Sequence, residues 1–172
     1  DVLPYARVLD EAFKPVVSPD EEDARNEDLV RLQKTLNARV ADIRTTLPAL
    51  SQLLEGKIVA EMTELLQRLE AISVASDFHE FNATVRESYA APEAFKQAFD
   101  RFGNLAKACE ALPQLQHVKA YVQGAADLGD SDLELRKVSL LGQLTFDGLV
   151  HNPQKIKGIL EQFNGFADRY QQ

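Results

Sequence analysis

A long run of apolar residues at alternating three- and four-residue spacing, from Leu29 to Ile72, constrains the fold of this chain most strongly. Side chains at that spacing fall on one stripe of an α-helix, and such a stripe must be covered by another element. The run divides into two seams, Leu36, Val40, Ile43, Leu47, Leu50 and Leu54, followed by Ile58, Met62, Leu65, Leu69 and Ile72. The pattern therefore predicts two long helices that pack against other parts of the chain or a partner.

Local signals set the ends of these two helices. Ser18 is a good N-cap, Pro19 suits the first helical turn, and the acidic residues that follow oppose the helix dipole. Proline is costly inside a helix, so Thr46 is predicted to cap a second helix that begins near Pro48, with a sharp kink as the second alternative. Gly56 then shifts the phase of the seam. Two helices of about 25 residues each predict an antiparallel hairpin over roughly 19–75.

The second half of the chain shows shorter helical patterns. Ser76 or Asp77 can cap the first of these helices, and Pro92 and Pro113 suit the starts of the next two. A loop is predicted over 124–129, and Ser131 is expected to form a capping box with Glu134. One helix is then predicted to carry Leu133, Val138, Leu141, Leu144 and Leu149, and a last helix follows Asn152 and Pro153.

The predicted fold class is all-α, an irregular helical bundle of seven or eight helices. Its long antiparallel hairpin either packs against a smaller C-terminal helical bundle or projects from it. Three segments are expected: a short leading helix and linker over 1–18, the hairpin over 19–75 and the C-terminal bundle over 76–172. The chain opens on Asp1, and the last amphipathic pattern runs to Tyr170. These ends favour one structural domain cut from a larger protein, with a processed protein as the alternative. The single cysteine, Cys109, is compatible with the expected cytoplasmic location.

No catalytic, metal or cofactor site is predicted. Nucleotide-binding glycine loops and a nucleophile elbow are absent from the sequence, and His79, His117 and His151 do not share a metal-ligand spacing. An acidic stretch over 127–134 lacks the glycine and the final acid of a calcium loop, so it is read as solvated acids at a helix start. Cys109 lies on an apolar helical face and is expected to be a small core residue.

The leading functional hypothesis is a non-enzymatic helical interaction, scaffold or regulatory module. Its partner would be another protein, another domain of the parent chain or a second copy, and no membrane is expected. The candidate partner interface comprises Leu36, Ile43, Leu50 and Leu65.

Two alternative hypotheses remain open. The layout resembles helical accessory segments of large bacterial ATPase machines, and a nucleic-acid-linked role would use a basic stripe of Arg31, Lys34 and Arg39. The net charge of −8 disfavours a broad phosphate-binding surface, which makes nucleic acid the weaker candidate. The other alternative is an enzymatic or small-ligand-binding bundle with a pocket near Phe95, Phe102, Tyr121 and Phe163.

Overall fold

The computed structural model describes residues 11–14 and 18–171. This part of the chain contains eight helices and no strand, which confirms the predicted all-α class. The short leading helix predicted within 1–18 lies mostly outside the described residues. In chain order the helices are α1 Pro19–Leu53, α2 Val59–Ser73, α3 Phe78–Ser88, α4 Pro92–Glu110, α5 Leu112–Gly124, α6 Ser131–Gln143, α7 Phe146–His151 and α8 Lys155–Tyr170.

The chain forms two compact units. Among the described residues, the first comprises 11–14, 18–45 and 60–103, and the second comprises 46–59 and 104–171. Helices α1 and α4 each contribute residues to both units. These units do not coincide with the three predicted segments, whose boundaries stay predictions.

Several helix starts agree with the local capping signals. Helix α1 begins at Pro19, and the Ser18 hydroxyl accepts a hydrogen bond from the Glu21 amide at 3.2 Å. The Asp77 carboxylate caps α3 by accepting from the Glu80 amide at 2.9 Å. Because each cap satisfies an amide that the first helical turn leaves open, short-range chemistry alone sets these starts.

The predicted break near Thr46 is wrong, since α1 continues without interruption through Pro48 to Leu53. Leu47 and Leu50 remain buried on either side of the proline, with 7% and 0% of their surface exposed. Burial of this continuing apolar face offsets the local cost of the proline. The break instead falls at residues 54–58, around Gly56.

Replacing Pro48 by alanine should raise the free energy of unfolding by about 1–2 kcal/mol. Alanine restores the missing amide donor and removes the ring clash, while the greater freedom of the unfolded chain cancels part of the gain. Pro48 is exposed, so no packing contact in the core is lost. Urea unfolding measures the change, and a loss of stability would show that Pro48 makes a favourable contribution.

Within the first unit, polar contacts join α1 to α2. The Gln33 side chain donates to the Ala75 carbonyl at 2.8 Å, and the Arg44 guanidinium pairs with Glu70, with an Nη2 to Oε2 distance of 2.7 Å. Later residues of α1 thus meet earlier residues of the α2 region, as an antiparallel pair requires. These contacts are consistent with the predicted hairpin.

An aromatic cluster centred on Phe95 fills the interior of the first unit. Phe95 is fully buried, and its ring lies 5.2 Å from the rings of both Tyr89 and Phe99. The rings of Phe81 and Phe13 follow at 6.2 and 6.4 Å, at angles typical of edge-to-face packing. Phe95 therefore belongs to a packed core within this unit.

Two predictions about the region after residue 130 are wrong. Asp130 caps α6, its carboxylate accepting from the Asp132 amide at 2.9 Å, whereas Ser131 is already helical. The single helix predicted through Leu149 is broken after Gln143. Thr145 caps a new helix, α7, by accepting from the Gly148 amide at 3.3 Å, and this allows Phe146 to be buried.

Candidate functional site

The four residues predicted to contact a partner lie in the core. Exposure is 2% for Leu36, 3% for Ile43, 0% for Leu50 and 8% for Leu65. Their spacing correctly marks an apolar helical face, but the chain itself covers that face. A partner that contacts them would first have to separate the packed helices, so their role in an interface stays a prediction.

The predicted basic stripe is at least partly accessible. Arg31 and Lys34 are exposed, and Arg39 is half-buried. Arg25, which precedes them on α1, is only 4% exposed and belongs to the interior. The stripe therefore presents fewer positive charges than the sequence of α1 contains, and its binding to nucleic acid stays a prediction.

The residues predicted to surround one ligand pocket belong to different units. Phe95 and Phe102 lie in the first unit and are buried, whereas Tyr121 and Phe163 lie in the second. The rings of Tyr121 and Phe163 pack edge to face at 5.3 Å, and the exposed His117 ring lies 5.5 Å from Phe163. Phe163 and His117 also border a shallow groove of about 450 Å³.

The candidate metal ligands and nucleophile do not assemble into a site. Among residues 11–14 and 18–171, no three His, Cys, Asp or Glu side chains are grouped to hold a metal ion. His79 is exposed and lies 3.2 Å from Glu22. Burial raises the pKa of the Cys109 thiol to about 11, so that the thiol stays protonated at neutral pH.

The clearest accessible apolar surface is the outer face of α6, formed by Leu135 and Val138. Each is 70% exposed, while Leu133 and Leu140 on the opposite side of the helix are buried. The sequence predicts Val138 on the same helix as Leu133, and the structure shows that the two side chains lie on different faces of that helix. Leu133 and Leu140 are two turns apart and define the inner face, which turns Leu135 and Val138 outward.

Polar contacts at both ends hold α6 in place within the second unit. At the N-terminal end, the Arg169 guanidinium of α8 pairs with Asp130 and with Asp132, each at 2.7 Å. At the C-terminal end, the Gln143 amide donates to the Gln162 side chain at 2.9 Å. These anchors fix the orientation of the helix, so its outer face is presented without rearrangement.

The pKa of the Asp130 carboxyl is lowered, chiefly by the hydrogen bond from the Asp132 amide and further by Arg169. A lowered pKa keeps this carboxylate charged, and therefore paired, at neutral pH. The helix cap and the ion pair between Asp130 and Arg169 thus depend on the same carboxylate. Both features are lost together when the pH falls through the lowered pKa.

Small and charged residues surround the two apolar side chains. Ser139 and Gly142 lie one turn further along the exposed side of α6, where they allow a close approach. Glu134 is exposed beside Leu135, and the exposed Arg136 pairs with Asp132 at 2.9 Å. The outer face of α6 therefore combines an apolar centre with charged residues of both signs.

Comparison of the chain with protein-family models, with curated proteins and with solved structures found no match. Each helix of the described chain is too short or too polar to cross a bilayer. The seven-residue spacing of Leu133 and Leu140 is the sequence signal for the inner face of α6, and it leaves Leu135 and Val138 on the outer face.

Proposed function

We propose that this chain is a non-enzymatic helical interaction module whose contact surface is the outer face of α6. The partner would be an amphipathic helix with a basic border, in another protein or another domain of the parent chain. A cytoplasmic location remains part of this proposal. The observation that carries it is the 70% exposure of both Leu135 and Val138, one turn apart on an anchored helix.

Physical chemistry favours such a partner. When one helix packs against another, it makes contact through apolar side chains that are spaced one turn apart. Complete burial of a Leu or Val side chain contributes about 1.5–3 kcal/mol, so covering the exposed parts of both is worth about 2–4 kcal/mol. The net charge of −8 attracts Lys and Arg, and it disfavours a second copy of the same chain.

The proposal predicts that the chain binds a synthetic helical peptide with a leucine stripe flanked by lysines. In a titration followed by amide chemical shifts, the saturating changes should map to α6. The double substitution Leu135→Ser and Val138→Ser should weaken binding at least about tenfold, because it removes the apolar contact. It should change the free energy of unfolding by less than about 0.5 kcal/mol, since both side chains are exposed.

The matched control replaces Val30 and Val74 by serine, because these are 62% and 74% exposed but lie in the first unit. This pair should leave peptide affinity unchanged. Equal affinity for a peptide of the same composition in scrambled order would contradict the proposal. So would self-association in sedimentation that the α6 double substitution abolishes, because the occupant would then be a second copy.

A further inference from the structure

A half-open cleft of about 360 Å³ lies within the first unit between α2 and α4. Each helix contributes one face to it, with residues three, four and seven positions apart. Met62, Leu65 and Ala98 are buried and form an apolar lining. This volume is at the lower end of the range for small-molecule sites, which is about 300–1,000 Å³. The cleft is independent of the α6 surface proposed above.

Tyr89 provides a buried polar group in this lining. The residue is 8% exposed, and its hydroxyl has no hydrogen-bond partner in the described part of the chain. Native proteins pair nearly all buried polar groups, so an unpaired hydroxyl at a cleft indicates a missing acceptor. Burial raises the pKa of Tyr89, which keeps the hydroxyl protonated and able to donate.

The charged groups of the cleft supply further donors. Arg101 is exposed at its edge and has no ion-pair partner among the described residues. Arg68 donates to Glu64 at 2.7 Å. Its positive charge also offsets part of the rise that burial causes in the pKa of the Tyr89 hydroxyl. An oxyanion would satisfy the Arg101 guanidinium and the Tyr89 hydroxyl together, because carboxylates accept strong hydrogen bonds from both kinds of donor.

We propose that the cleft binds a small monocarboxylate with a compact apolar body. One carboxylate oxygen accepts from the Tyr89 hydroxyl, and Arg101 balances the negative charge. The apolar body covers Met62 and Leu65. Glu61 and Glu64 border the same cleft, so a second negative charge on the ligand would meet repulsion.

Three five-carbon probes separate these features: isovalerate, the neutral isoamyl alcohol and the dianion methylsuccinate. In amide chemical-shift titrations, isovalerate should cause saturating changes at cleft residues of α2 and α4. The alcohol and the dianion should each bind at least about tenfold more weakly, because one lacks the charge and the other is repelled by Glu61 and Glu64. Equal binding of the alcohol would overturn the carboxylate assignment.

Tyr89→Phe should reduce isovalerate affinity about tenfold, since it removes only the hydroxyl donor. The same substitution should leave the thermal midpoint of the free chain unchanged or higher, because no hydrogen bond of that hydroxyl is lost. Loss of binding would then be distinct from loss of folding. Tyr121→Phe, in the second unit, is the matched control and should bind isovalerate like the original chain.

Arg101→Gln should also weaken isovalerate binding, whereas Arg31→Gln makes the same change of charge on α1 and should have no effect. Non-saturating shifts with isovalerate would overturn the inference. Undiminished affinity in Tyr89→Phe would do the same, because the unpaired hydroxyl is the observation that identifies the site.

Discussion

Replacing Arg25 by methionine should lower the free energy of unfolding by about 3 kcal/mol, because it leaves two carboxylates without their buried counter-charge. Arg25 is 4% exposed and pairs with Glu21 one helical turn earlier. Its Nε lies 3.8 Å from Glu11, and its Nη1 donates to the Lys14 carbonyl at 2.9 Å. Methionine keeps most of the apolar part of the arginine side chain, so the loss of stability measures the contribution of the guanidinium group.

The Arg25 guanidinium also lies over the Phe78 ring, 5.1 Å from its centre. This cation–π contact adds to the hydrogen bonds because the group is screened from water. Residues 11–14 should therefore become the first part of the described chain to loosen. Amide hydrogen exchange in these residues should accelerate in Arg25→Met.

Arg31→Met is the matched control for this prediction, since Arg31 lies on the same helix but is exposed. It should change stability by less than about 0.5 kcal/mol. A double-mutant cycle with Glu21→Gln separates the ion pair from the other contacts. A loss below about 1 kcal/mol in Arg25→Met would show that the buried charge is not a main stabilising group.

Replacing Gly56 by alanine should destabilise the chain by about 3 kcal/mol, because the added methyl has no space. A Cβ atom at this position would lie 2.5 Å from the Asp147 Oδ1 atom and 2.6 Å from the Phe146 Cβ atom. Asp147 can rotate its carboxylate, whereas Phe146 is fully buried and cannot move without displacing the start of α7.

That displacement would break a set of hydrogen bonds within the second unit. The Phe146 amide donates to the Glu55 carbonyl at 3.0 Å. The Asp147 Oδ1 atom accepts from the amides of Lys57 at 3.0 Å and Ile58 at 3.2 Å, just before α2. All three hydrogen bonds depend on the position of the start of α7, so alanine at position 56 would weaken them together.

The control for this prediction is Gly158→Ala, inside α8, where an added Cβ meets no atom within 4 Å. Alanine is the better helix former, so Gly158→Ala should stabilise the chain by about 0.5–1 kcal/mol. If the close contact at Gly56 is responsible, denaturant unfolding should show that the two variants change the free energy of unfolding in opposite directions. A loss below about 1 kcal/mol in Gly56→Ala would show that α7 can shift freely.

Sequence reasoning was strongest where the chemistry is local. Ser18 and Asp77 cap the helices that their residue types predicted, because the bond is made to an amide three residues away. It failed at Pro48, whose local cost is outweighed by distant packing of the α1 face. It left the exposure of Val138 open, because periodicity identifies an apolar side chain but does not show which face of a short helix the rest of the unit covers.

The candidate sites depend still more on tertiary structure. Nothing near Tyr89 in the sequence shows that its hydroxyl is buried without a partner, and Arg25 looks like any other basic residue of α1. The sequence by itself determined the all-α class and several helix ends, since periodicity and capping act over a few residues. The tertiary structure decided which charges and apolar faces are covered, because burial depends on residues far apart in the chain.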